Sequence, residues 1–145
     1  MLLVQAILKD KADDGVVTLA PGISVAEAVE VLSSCRIGAV VISADGKHPE
    51  GILSERDVVR EIGRCGLACL SEPVENLMTK KLISCGRGDT AEDVTRKMTQ
   101  GRFRHMPVVE GGEMIGLISI GDVVKARLAE LAMEKDALEG MIKGF

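Results

Sequence analysis

One stretch occurs twice, and any fold for this chain has to accommodate both copies. Gly51-Ile52-Leu53-Ser54-Glu55-Arg56-Asp57-Val58-Val59 returns 65 residues later as Gly116-Leu117-Ile118-Ser119-Ile120-Gly121-Asp122-Val123-Val124. Gly, two aliphatics, Ser, Asp and Val-Val keep identical spacing. Each copy reads as a short apolar strand running into a helix. The Ser stands at the N-cap and the Asp in the first turn.

Two chemistries fit that pattern. Ser-x-x-Asp ahead of an apolar run is a capping box, in which side chains satisfy the free N–H groups of the helix start. The same place suits a ligand. A helix N-terminus attracts anions such as phosphate, and a first-turn carboxylate can accept two hydrogen bonds from a vicinal diol such as a ribose. A cap alone would explain one copy. Two copies inside matching repeats favour a ligand site.

The rest of the chain repeats around this motif. In the first half, residues 2–10 suit a short helix, Ala12 to Gly15 a turn and Val16 to Leu19 a strand. Ser24 and Glu27 predict a capping box, with Val25, Ala28, Val29 and Leu32 on one helical face. Ile37 to Ser43 suits a buried strand, residues 45–49 a turn, Gly51 to Leu53 a strand and Ser54 to about Ile62 a helix. The second half follows the same order. Leu82 to Ser84 is expected as a strand, and Asp89-Thr90 to open a helix that Gly101 caps. Strands then follow at Met106 to Val109 and Met114 to Ile118, joined by a turn at 110–113. Pro107 falls near a strand start, where a missing N–H is tolerated. The connection carries a short helical piece, Val74 to Met78. The expectation is an α+β fold of two strand–helix–strand–strand–helix repeats, 1–70 and 71–145. Each is too small to bury much surface alone, so the two should pack as one module.

The final helix, roughly 121–143, carries Val124, Leu128, Leu131, Leu138 and Ile142 at spacings of three, four or seven, interrupted by Lys135. This stripe either packs on its own domain or meets a partner helix in a homodimer.

Composition narrows the function. The chain has 145 residues, is 46% hydrophobic and 28% charged, and carries a net charge of −4. Two Phe with no Trp or Tyr leave few stacking platforms, and an acidic balance offers no basic face, so nucleic acid is a poor partner. No apolar run approaches the roughly 20 residues of a membrane span. The first residues lack the basic region and cleavage pattern of a signal peptide. Cys65 and Cys69 are closely spaced, but Cys-x-x-x-Cys without nearby His is a weak metal signal. Free thiols and a cytoplasmic location are expected. Nothing pairs a nucleophile with a base, so no catalytic role or catalytic cofactor is assigned.

With these features in place, the chain resembles a tandem pair of CBS (cystathionine-β-synthase) domains. Residues 37–41 (IGAVV) and 103–109 (FRHMPVV) are similar to that family's second-strand motif, and the two Gly-x-x-Ser-x-x-Asp copies to its terminal motif. The resemblance runs from about Val4 to the last helix. It implies a module in which the repeats pair about a pseudo-two-fold axis and leave two clefts between them. Such pairs bind adenosyl ligands (AMP, ADP, ATP, NAD-type dinucleotides or S-adenosylmethionine), commonly dimerise, and regulate another protein, often in energy sensing. Carried over, Asp57 and Asp122 would hold ribose hydroxyls, with Ser54 and Ser119 near ribose or phosphate. Thr18 and Ser84 would line the base, and Gly38-Ala39 and His105-Met106 would face adenine. Arg56 and Arg104 are the phosphate candidates, with Lys80 and His105 behind them. The repeats differ: Pro107 stands where the first repeat has Val41, and Gly121 where it has Arg56. The competing reading is a ligand-free dimerisation or protein-interaction module whose Ser and Asp are caps only.

Overall fold

Four hydroxyl residues set the helix starts. Ser24, Ser54, Thr90 and Ser119 each accept a hydrogen bond from the N–H three residues on, at 3.1, 3.2, 3.0 and 3.0 Å. At Ser54 and Ser119 the box closes, because Asp57 and Asp122 accept from the backbone N–H of the cap residue. At Ser24 only the first half forms. There Val25 donates to the carbonyl of Glu72, and Val74 to that of Ile23, bringing in a segment from outside the first repeat.

The computed structural model describes residues 1–11 and 15–143. The turn expected at 12–15 lies, save for Gly15, outside them. The elements are α1 (Val4–Asp10), β1 (Thr18–Leu19), α2 (Val25–Cys35), β2 (Ala39–Ile42), β3 (Gly51–Ser54), α3 (Glu55–Cys65), α4 (Ala91–Gly101), β4 (His105–Glu110), β5 (Glu113–Ser119) and α5 (Ile120–Ile142). The connection between repeats holds two 3-10 turns, Gly66–Ser71 and Val74–Asn76. The second stands where a helical piece was expected and the first was not anticipated.

In the first repeat β1 pairs parallel to β2, and β2 antiparallel to β3. In the second, β4 and β5 form an antiparallel hairpin. Gly111 and Gly112 turn it with φ of 59° and 82°, as a two-residue primed turn requires. The strand expected at Leu82 to Ser84 does not form. It is reduced to one parallel bridge, Cys85 to Val108. The cause lies in the partner strand. Val41 and Ser43 donate to the carbonyls of Val17 and Leu19 in the first repeat. In the second, Val109 donates to Cys85, but Pro107 replaces Val41 and has no N–H to give. One missing donor removes one rung and shortens the ladder.

The cap expected at Gly101 falls one residue later, because Gly101 is the last residue of α4. Arg102 takes the left-handed conformation, φ 57°, and its N–H caps on Met98. Gly101 is needed for a different reason, since a Cβ there would run into the Phe103 ring. Arg36 repeats the arrangement after α2, φ 53°.

The chain before each repeat packs into the other one. Val4 and Ile7 of α1 sit in the core formed by Val94, Met98, Met106 and Ile118 of the second repeat. Val74 and Leu77 sit in the core formed by Ala28, Leu32, Val40 and Leu53 of the first. One residue of each crossing arm lies over the Gly that opens the duplicated motif. A Cβ on Gly51 would strike Met78, and one on Gly116 would stand 2.7 Å from Leu8. A third cluster, Ala39, Val41, Ile52 and Met114 with Val16, Leu82 and Leu117, joins the two repeats, as does the bond from Met114 N–H to the Lys47 carbonyl, 2.7 Å.

α5 does not pack along its apolar stripe. Val123 is buried and Ala126 joins the core, but Val124, Leu128, Leu131, Leu138 and Ile142 are exposed, and so is every residue from 131 to 139. Intramolecular packing therefore does not account for the stripe.

Candidate functional site

The duplicated motif opens onto two clefts, each built from both repeats. The first, about 580 Å³, takes Ser54, Arg56, Asp57 and Arg60 from the first repeat, and Lys81, Leu82, Ile83 and Arg102 to His105 from the second side. The second, about 500 Å³, takes Ser119, Asp122 and Leu117 from the second repeat. Lys11, Val16, Val17 and Arg36 to Ala39 face them from the first side. Both volumes suit a small-molecule ligand. Gly38 and His105 line both clefts and meet between them, with the imidazole 3.4 Å from where a Gly38 Cβ would stand.

Local folding explains this placement. The first helical N–H of α3 donates to the Gly38 carbonyl, and that of α5 to the Arg104 carbonyl, each at 2.9 Å. Each helix start is thereby tied to the entrance of its own repeat's second strand. The Ser and Asp then follow at the cleft mouth because the capping box holds them there.

The two carboxylates have different partners. Asp57 is buried, and its Oδ1 accepts from Arg60 one turn further along α3, 2.8 Å, while Oδ2 accepts from the Ser54 N–H, 3.0 Å. Asp122 Oδ2 accepts from the Ser119 N–H at 2.9 Å and from Lys11 Nζ at 2.9 Å. Burial pushes the Asp122 carboxyl up, but the Ser119 hydrogen bond and the Lys11 ammonium outweigh it, and the net shift is downward. Burial lowers the His105 imidazole against the opposing pull of Asp122 and Glu55.

Of the residues expected at the site, Gly38, Ala39, Ser54, Arg56, Asp57, Arg104, His105, Ser119 and Asp122 line the clefts. Thr18, Lys80, Ser84, Met106 and Pro107 do not. Thr18 and Ser84 are one residue past the lining positions Val17 and Ile83, and Lys80 is one before Lys81. Met106 points into the second-repeat core and is fully buried. Lys11, Arg36 and Arg60 were not anticipated, and Lys81, Arg102 and Phe103, which belong to the two basic stretches Lys80-Lys81 and Arg102 to His105 that suit a small anionic ligand, were not assigned to the site. A signal existed: Val4, Ile7 and Lys11 have the spacing of Val74, Leu77 and Lys81, and Arg36 and Arg102 each follow the helix before a second strand. Both arginines hold left-handed backbone, a strained state that tends to gather at ligand sites.

Among the described residues no group of His, Cys, Asp and Glu is placed to hold a metal. All four cysteines are free, and burial raises the Cys85 thiol to about 11, the opposite of an activated nucleophile. Among the described residues no helix is long and apolar enough to cross a membrane.

An α+β module with two terminal motifs facing two clefts defines a class, the tandem CBS pair. The CBS domain family matches this chain twice, over residues 8–64 and 74–129. The chain belongs to that family. It is similar to the CBS-domain containing protein ATU1752 from Agrobacterium tumefaciens, with 43% identity, a TM-score of 0.81, and coverage of 86% of this chain and 98% of that one. It also resembles the CBS domain protein PAE2072 from Pyrobaculum aerophilum, solved in complex with AMP, with 26% identity, a TM-score of 0.74 and coverage of 91% and 99%. The CBS domain-containing protein CBSX3, mitochondrial, of Arabidopsis thaliana is 35% identical over 125 residues. This chain covers 61% of that relative's length, and the match takes in 83% of this chain.

Proposed function

We propose that this chain is a regulatory module that binds an adenosyl ligand of the AMP, ADP, ATP, NAD-type or S-adenosylmethionine class in the clefts between its repeats. The observation that carries the reading is the pair of equivalent clefts, each with a motif carboxylate at its mouth and an aliphatic wall behind. Ile52, Leu82 and Ile83 form that wall in the first cleft, and Val16, Val17 and Ile37 in the second. A purine fits between aliphatic walls, Asp57 or Asp122 accepts from the ribose hydroxyls, and Ser54 or Ser119 lies beside them. Arg56 and Arg104 stand at the first cleft where a phosphate would lie, with Arg60, Lys81 and Arg102 close by. The AMP complex of the Pyrobaculum relative supports the same ligand class. The module passes occupancy on to a regulated protein, in keeping with energy sensing, and it acts as a homodimer joined through the exposed stripe of α5.

One observation favours the other reading. Both aspartates close capping boxes, and Asp57 is also paired with Arg60. A module that only dimerises would need nothing more of them. Thermal unfolding separates the two. A ligand at 100 times its Kd adds about 2.7 kcal/mol, which raises the melting temperature of a domain this size by roughly 5–10 °C. At least one of AMP, ADP, ATP, NAD and S-adenosylmethionine at millimolar concentration should produce that shift. No shift with any of them would favour the ligand-free module.

A further inference from the structure

The two clefts treat their aspartates differently. Asp57 is neutralised from its own helix by Arg60, whose side chain is 64% exposed and stands on the same side of the first cleft as the carboxylate. Asp122 is neutralised from across the cleft. Lys11, at the end of α1, reaches over so that its Nζ lies 2.9 Å from Asp122 Oδ2 and donates to the Leu117 carbonyl at 2.7 Å. With the Ser119 N–H also on Oδ2, both lone pairs of that oxygen are taken. The stem of Lys11 begins from a fixed point, because Val4 and Ile7 hold α1 in the core. Lys81, which has the corresponding place at the first cleft, forms no ion pair among the described residues. The supply of cations differs too. Lys11 and Arg36 are the only Lys or Arg side chains among the described residues lining the second cleft, whereas five line the first.

We propose that Lys11 sets the ligand class of the second cleft, admitting phosphorylated nucleosides in preference to bare ones. The proposal rests on the adenosyl reading of the clefts. A bare nucleoside must displace the ammonium from Asp122 before its diol can use Oδ2, and it offers the ammonium nothing in return. A charge-assisted bond is lost and the Leu117 carbonyl is left without its donor. A nucleotide brings an anion of its own. The ammonium, on a flexible stem, moves to the phosphate and frees the carboxylate for the diol. The same side chain therefore opposes adenosine and assists AMP.

The test is calorimetric titration of adenosine and AMP into Asp57→Asn protein, in which the first cleft is weakened, with Lys11 intact or changed to Met. Lys11→Met should tighten adenosine and weaken AMP, each by roughly tenfold. Lys11→Gln, which keeps much of the stem and loses the charge, should do the same and stands in if Met perturbs folding, as checked by the melting temperature. Adenosine affinity unchanged or lowered by both substitutions would overturn the proposal. Asp122→Asn protein reads the first cleft in parallel. If nucleotides bind there while the second-cleft affinities fail to move in opposite directions, Lys11 has been misassigned and the adenosyl reading stands. If neither ligand binds either cleft of the unmutated protein, that reading fails and the role of Lys11 falls with it.

Discussion

Two histidines occur in the chain, and they report on opposite environments. His48 is exposed on the turn between β2 and β3, where Asp45 holds it at 2.5 Å and raises its pKa above the usual histidine value. His105 lies between the clefts, where burial lowers its pKa. The signs follow from linkage. The stabilisation from His48 is present below about pH 6.5 and is lost as pH rises through its raised folded value. At His105 the unfolded state takes the proton more readily, so stability falls as pH drops from about 6.5 through its lowered folded value. A proton NMR titration should show one imidazole titrating above the ordinary midpoint and one below. An anionic ligand in either cleft should raise the lower of the two and leave His48 in place. If AMP moves both equally, or moves His48 alone, His105 does not stand between two ligand sites.

At the level of elements, much was readable because the motif is local. Capping hydroxyls at Ser24, Ser54, Thr90 and Ser119 mark helix starts through the nearest few residues, and all four helices form where those residues stand. The misses came from partners distant in sequence. The strand at 82–84 failed because Pro107, some twenty residues on, withholds a donor. The arms at Val4 and Val74 pack across to the opposite repeat, which no periodicity within either arm announces. Lys11 escaped notice for the same reason, since its partner Asp122 belongs to the other end of the chain. The stripe on α5 was visible, but not whether anything covers it. Leu131 and Leu138 are 52% and 60% exposed, and the proposed homodimer would cover them. Light scattering at micromolar concentration should give twice the 15.4 kDa chain mass, and the double change Leu131→Lys and Leu138→Lys should return the protein to 15.4 kDa. A monomer before any substitution would contradict the dimer and leave the stripe without an occupant.

For the molecule as a whole, the crossing arms matter most. Neither hydrophobic core is complete without a segment from the far side, and both clefts are bounded by both repeats. A ligand in either cleft therefore touches the two halves at once, which is what a module needs if occupancy is to alter its shape or its partners. The likeness between the clefts stops at their charges. The first is rimmed by arginines and the second is occupied by Lys11, so their affinities should differ even for one ligand. The central claim is that Asp57 and Asp122 are ligand groups as well as caps. Calorimetric titration of AMP into the unmutated protein, Asp57→Asn and Asp122→Asn tests it most directly. Hydrogen bonds to a charged group contribute about 1.5–3 kcal/mol, so each substitution should weaken its own cleft by about tenfold or more. The melting temperature should change little, because Asn keeps an oxygen for the cap N–H. Equal AMP affinity in all three proteins would show that the carboxylates serve the helices alone.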